Sequence, residues 1–260
     1  MKRSKGWLAL IVIVVVTALV VGLNVVRKGG SKAKAASRVE IQIGLCGDPA
    51  AIAGALDLRS RGAPLEVWLF DDAELAMLQR GLRFRLRVTD DRSELTMKVA
   101  NQDCTALAPG VVPKKEGKCE YDMHGDAVTG AVSLSRALDA TQTRAIREAR
   151  LALVDALSSS QVKYLRDVVG VWPLPGDVHR LGPIQVQRYR GADLPYDVDV
   201  STLPDGSRFV EISRKVAAAK VAHARERLNA DLAEAGVAAC DDQSAQAQTK
   251  LRALLAGSPG

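Results

Sequence analysis

The sequence predicts an α+β fold: antiparallel strands with surrounding amphipathic helices, preceded by one N-terminal transmembrane helix. Three observations carry this. Residues 82–88 and 94–99 alternate apolar and polar side chains on either side of a turn, the pattern of a half-buried hairpin. Stretches such as 143–157 repeat apolar residues at helical spacing. Trp7–Val26 runs 20 residues without a charge, long enough to cross a bilayer core as a helix.

The N-terminus divides simply. Residues 1–6 are a basic leader with Lys2, Arg3 and Lys5, 7–26 the apolar span, 27–37 a Gly/Ser/Lys/Ala linker and 38–257 the folded domain. A cleaved signal peptide is the alternative, with Ala33-Lys34-Ala35 as its site, but the apolar run exceeds the roughly 7–15 residues of a signal core. Basic residues flank both ends of the span. A literal positive-inside count, with Arg27, Lys28, Lys32, Lys34 and Arg38 on the far side, puts the domain in the cytoplasm. A short basic leader before a long apolar helix is the usual form of a signal anchor. Our reading is a single-pass cell-membrane protein with its domain outside the cytoplasm.

About 220 residues remain for one large domain or two small ones. The net charge is +6, part of it beside the span, and aromatic residues make up 4%. So few aromatics argue against single-stranded nucleic acid as a partner, because that binding relies on stacking. Cys46, Cys104, Cys119 and Cys240 contain no C-x-x-C pair, and His124, His179 and His223 are scattered, so neither type supplies a metal motif. Four cysteines permit disulfides in an oxidising compartment. Cys104 and Cys119, bracketing a loop, are the best pair; four free thiols are the other reading.

Along the domain, Arg38–Leu45 reads as a strand and Pro49–Arg61 as a helix stopped at Gly62. Leu65–Phe70 is a strand, and Asp71–Gly81 a short helix capped by Asp72. In Leu82–Val88 the apolar residues point one way, while Arg83, Arg85 and Arg87 stand on the other face, about 7 Å apart. Across the turn Asp90–Ser93, Glu94, Thr96 and Lys98 alternate with Leu95, Met97 and Val99. After a loop, Glu120 and Asp122 share a strand face. Ser133–Leu157 and Gln161–Val169 read as helices. Ile184–Arg190 is a strand with Arg188 and Arg190 on one side. Asp197 and Asp199 share a face of the next strand, and the turn at Pro204–Gly206 leads to a strand ending at Glu211. Val216–Ala235 and Gln243–Leu255 read as closing helices. From pattern alone, every charged face could equally be a solvated outer face of a sheet.

The run Leu69–Arg87, L-F-D-D-x-x-L-x-x-L-x-x-G-L-R-F-R-L-R, followed by E-L-T-M-K at 94–98, resembles the signature of the CYTH, or triphosphate tunnel metalloenzyme, superfamily. That signature has a Tyr-Phe-Asp-Thr-like strand end, a short helix, an L-R-I-R strand and an L-T-L-K strand. The resemblance implies a closed antiparallel barrel of eight or so strands with a charged tunnel. It implies phosphate-binding roles for Arg83, Arg85, Lys98, Arg188 and Arg190, and Mg²⁺ or Mn²⁺, if the protein is catalytic, on Glu40, Glu120, Asp122 and Glu211. The chain departs from the pattern where Gln42 and Gly44 follow Glu40 and where Ser213 follows Glu211, positions the family fills with carboxylates and a lysine. The expected function is membrane-anchored binding, and hydrolysis with a divalent metal, of triphosphate- or polyphosphate-type substrates. The alternatives are a catalytically degenerate module for an anionic phosphate ligand or protein partner, and a purely structural anchored barrel.

Overall fold

Nine strands close on themselves. β1 (Arg38–Cys46), β3 (Leu65–Asp71), β4 (Leu82–Val88), β5 (Ser93–Ala100), β6 (Gly117–His124), β7 (Ala127–Leu138), β8 (His179–Gly191), β9 (Asp197–Thr202) and β10 (Arg208–Ala217) pair in the order β10-β9-β8-β3-β4-β5-β7-β6-β1. β1 returns to β10, which completes the barrel. Each contact in the ring is antiparallel except β1 with β6. The short β2 (Leu58–Ser60) adds to β8, and β11 (Ala238–Ala239) adds to β1. The computed structural model describes residues 38–174, 177–191, 195–241, 243 and 245–257, and their side chains apart from 245–248. The predicted leader, span and linker lie outside the described residues. Among the described residues no helix is long and apolar enough to cross a membrane.

Closure follows from the sequence pattern. The outward residues of β4 and β5, Leu82, Phe84, Leu86, Leu95, Met97 and Val99, are at most 2% exposed. They pack under α3 (Ala140–Arg147), α4 (Leu153–Ala156), α5 (Ser159–Tyr164) and the π turn Leu165–Val169. Truncating a core ring such as Phe84 costs roughly 3–5 kcal/mol. A second apolar layer lies outside β1, β9 and β10, where Ile41, Val198 and Ile212 meet Leu228 and Leu232 of α6 (Val221–Glu234). With both outer faces taken up by apolar packing, period two sends the charged residues of β1, β4, β5 and β10 inward. α1 (Pro49–Ala55) and α2 (Ala76–Gln79) sit in connections. In α2, Asp72 accepts from the Ala76 amide and Asp71 from the Met77 and Leu78 amides. Gly81, at φ 72°, turns the chain from there into β4 at no steric cost.

Three sequence expectations change. The helix predicted from Pro49 to Arg61 ends at Ala55, because Asp57 takes φ 43° and the chain then pairs as β2. The helix predicted over Ser133–Leu157 is half strand: Ser133–Leu138 belong to β7, hydrogen-bonded along β5, and the helix begins at Ala140 behind the Asp139 cap. The helix predicted from Val216 starts at Val221, since Val216 and Ala217 still pair with Val39 and Arg38. Barrel closure by β1 overrides the helix propensity of an alanine-rich run. The barrel has nine strands, in line with the eight or so expected.

Both cysteine pairs are joined. Cys104–Cys119 links the long loop to β6, as expected, and Cys46–Cys240 ties the end of β1 to the segment leading into α7 (Ala245–Ala256).

Candidate functional site

The barrel encloses a cavity of about 530 Å³. Among the described residues, nine cationic side chains and five carboxylates line it, an excess of four positive charges. Its charged side chains fall into two opposed halves.

The first half is built on β4. Arg83, Arg85 and Arg87 all face the cavity, backed on β5 by Lys98, Thr96 and Glu94 as their direct cross-strand partners. Arg188 of β8 joins them. Burial, reinforced by Arg87, pulls the Arg85 guanidinium down to about 10, and burial lowers Arg87 as well. Both remain cationic at neutral pH. Glu94, Asp199 and Glu211 face Arg85 across the space, yet among the described residues Arg83, Arg85, Arg87 and Arg188 form no ion pair. The polar floor is hydroxyl: Thr96 Oγ1 lies 2.9 Å from Ser135 Oγ.

The second half is built on β1, β6 and β10, and there Glu40, Glu120, Asp122, Lys118 and Lys215 are paired. Glu40 stands opposite Lys215 on β10 and level with Asp122 on β6. Lys215 Nζ lies 3.3 Å from Glu40 and 3.4 Å from Glu120, and Lys118 lies 2.7 Å from Glu120. Lys98 reaches across to Asp122. Burial works against the Lys215 charge, but Glu40 and Glu120 outweigh it and raise this ammonium above its ordinary value. Burial would raise Glu120; Lys118 and Lys215 outweigh it and hold the carboxyl low. His124, also lining the cavity, is pushed down by burial.

α7 completes the lining. Its Leu251 and Leu254 pack on inward apolar residues of β3 and β8, among them Val67 and Ile184. Its Lys250 points in, 3.3 Å from Ser201 Oγ and 5.3 Å from the Phe209 ring centroid. Burial lowers Lys250. Burial likewise raises the carboxyls of Glu211 and Asp199, although Lys250 and the arginines partly offset it. Just before the helix, the Gln243 amide accepts from the Gly44 N–H and donates to the Gly44 carbonyl at 3.0 Å.

Of the residues proposed from sequence, Arg83, Arg85, Lys98, Arg188, Glu40, Glu120 and Glu211 line the cavity. Asp122 points the same way but is covered and held by Lys98. Arg190 is not in the lining; it lies exposed, 4.0 Å from Asp197. Sequence reasoning missed Lys118, Lys215, Lys250 and Gln243. For Lys215 a signal existed, since Glu211, Ser213 and Lys215 continue one strand's alternation. For Lys250 and Gln243 none did, because only tertiary packing brings that segment to the barrel.

These residues do not fit a divalent metal. Mg²⁺ needs deprotonated oxygen ligands at roughly 2.0–2.1 Å. Here Glu40 and Glu120 share the Lys215 ammonium, Asp122 is paired with Lys98, and burial favours the protonated form of Glu211. Among the described residues no three His, Cys, Asp or Glu side chains gather in a way that could hold a metal ion.

No protein-family model matches this sequence, and no curated protein resembles it in sequence. Solved structures do resemble it. A Hippeastrum protein, HpAC1, described as an adenylyl cyclase with a dominant triphosphatase activity, superposes with a TM-score of 0.54 at 15% identity, over 82% of this chain and 96% of its own. A protein of Bacillus halodurans described as an adenylate cyclase gives 0.52 at 12% identity, over 81% and 98%. The chain therefore shares the fold of these proteins, in keeping with the resemblance drawn from its sequence.

Proposed function

We propose that the barrel binds a linear triphosphate- or polyphosphate-type anion, held by Arg83, Arg85, Arg87 and Arg188. One observation supports this above the others. Three arginines stand in a row inside a closed barrel, and among the described residues none is neutralised by an ion pair. Like charges held about 7 Å apart in a partly desolvated space are costly unless a counter-charge arrives. A linear polyphosphate supplies anionic oxygens at each phosphorus, and the planar guanidinium fork matches them. HpAC1, described with a triphosphatase activity, shares the fold.

Hydrolysis of the bound anion is the second reading, and the buried carboxyls favour it. Glu211 and Asp199 face the arginines with raised proton affinity, as a group that must accept a proton from water requires. In this reading the arginines bind and orient the chain while a carboxylate takes the proton.

The barrel works outside the cytoplasm, tethered by residues 7–26. Two formed disulfides support this placement, because such bonds persist in oxidising compartments. Labelling intact cells with an impermeant reagent, using a cysteine introduced on the barrel surface, tests it; protection of that cysteine would return the domain to the cytoplasm.

Calorimetry with inorganic tripolyphosphate tests the binding reading, and phosphate release separates the second. Saturable binding is expected. No binding at millimolar ligand would leave a structural barrel.

A further inference from the structure

The carboxylates that the fold would use for a metal are each answered by a protein cation. Lys215 lies within 3.4 Å of both Glu40 and Glu120, so its ammonium stands where a bridging ion would have to sit. Lys98 takes Asp122, and Lys250 faces Glu211 and Asp199. A dication entering this cavity meets an excess of four positive charges, and it reaches the Glu40–Glu120 pair only by displacing Lys215. A polyanion meets the reverse: an excess of cations, with one of the three N–H donors of Lys215 committed to neither carboxylate.

We propose that the tunnel takes its polyanion without a divalent metal, and that Lys215 is the fixed cation in the metal's place. This rests on the anion-binding reading above. Lys215 thereby becomes a ligand-binding residue, and the site selects metal-free phosphate chains over their Mg²⁺ chelates.

The test uses the full-length protein in detergent and two probes. In calorimetry, tripolyphosphate binds in excess EDTA at least as tightly as with Mg²⁺ or Mn²⁺. Binding tenfold tighter with metal overturns the inference and leaves the anion reading standing. No binding in either condition removes that reading, and this inference with it. Independently of phosphate, Mn²⁺ titration followed by electron paramagnetic resonance leaves the aqueous signal unchanged for the wild type. Lys215→Gln, which frees Glu40 and Glu120, acquires a bound Mn²⁺ and loses about tenfold in tripolyphosphate affinity in EDTA, while Lys215→Arg retains affinity. Stoichiometric Mn²⁺ binding by the wild type, or unchanged phosphate affinity and no Mn²⁺ binding in a folded Lys215→Gln variant, overturns the proposal.

Discussion

The arginine half and the lysine half of the tunnel solve the same problem in opposite ways. On β4 the cations form no ion pair among the described residues and are held in place from behind, by the apolar layer of Phe84, Leu86 and Met97 under α3–α5. On β6 and β10 the cations that line the cavity are Lys118 and Lys215, each spent on a carboxylate, and Lys98 of β5 is spent on Asp122 of β6. Both disulfides lie on that second side, one at Cys46 of β1 and one at Cys119 of β6. Unneutralised charge stores affinity for a guest. Paired charge stores little, since most of its Coulomb gain offsets its own desolvation. On the proposed anion reading, most of the guest's binding energy would come from the arginine wall, with Lys215 the main contribution of the opposite one.

The largest way to break this comparison is to cut the staple. Replacing Cys46 and Cys240 by Ser opens a loop of 194 residues, for which chain entropy gives about 5 kcal/mol at the upper end. The thermal midpoint should fall by about 10 °C or more. A midpoint unchanged in calorimetric scans would show that the second half holds itself together.

Next is Arg85→Ala. Charge-assisted contacts to phosphate are each worth about 1.5–3 kcal/mol, so tripolyphosphate affinity should drop roughly a hundredfold. Lys118→Ala, on the paired wall, should cost about tenfold or less. Equal losses in titration calorimetry would erase the asymmetry.

Smaller still is Glu211→Gln. Burial raises this carboxyl in the folded state above its unfolded value. The folded protein therefore binds more protons than the unfolded chain between those two values, and stability falls as pH rises through the folded one. Unfolding midpoints measured from acid to neutral pH should show less of that decline in the glutamine variant. With one anion removed beside Arg85, the variant should also bind tripolyphosphate a few-fold more tightly. A pH profile identical to wild type would mean Glu211 is solvated in the folded state.

Smallest is Arg190→Ala. An exposed arginine 4.0 Å from Asp197 contributes about 0–1 kcal/mol at most. Tripolyphosphate affinity should stay within about twofold, and a larger loss would extend the site beyond the cavity described above.

The arginine half was legible in the sequence because a strand has no freedom of period. Once Leu82, Phe84 and Leu86 are assigned to a core, Arg83, Arg85 and Arg87 must share the other side. Alternation could not tell whether that side faces solvent or a tunnel; closure by β1 and β10 decides it, and closure is a tertiary fact. The lysine half was harder to read. Lys215 lay hidden because Val216–Ala219 carries strong helix formers next to it, so the strand's last turns read as a helix start. Ser133 and Ser135 alternate with Val132 and Leu134 as plainly as the arginines do, but the helical stripe that follows absorbed them. Of the two disulfides, the 15-residue link could be proposed from its bracketing strands, whereas nothing local marks a partner 194 positions away.

Gly44 has a consequence outside chemistry. Its peptide group is gripped on both sides by the Gln243 amide, and both residues border the cavity. Gln243 thus takes the place of a neighbouring strand beside this stretch of β1, and the closing segment is held to the barrel through backbone groups that do not depend on the side chain at 44.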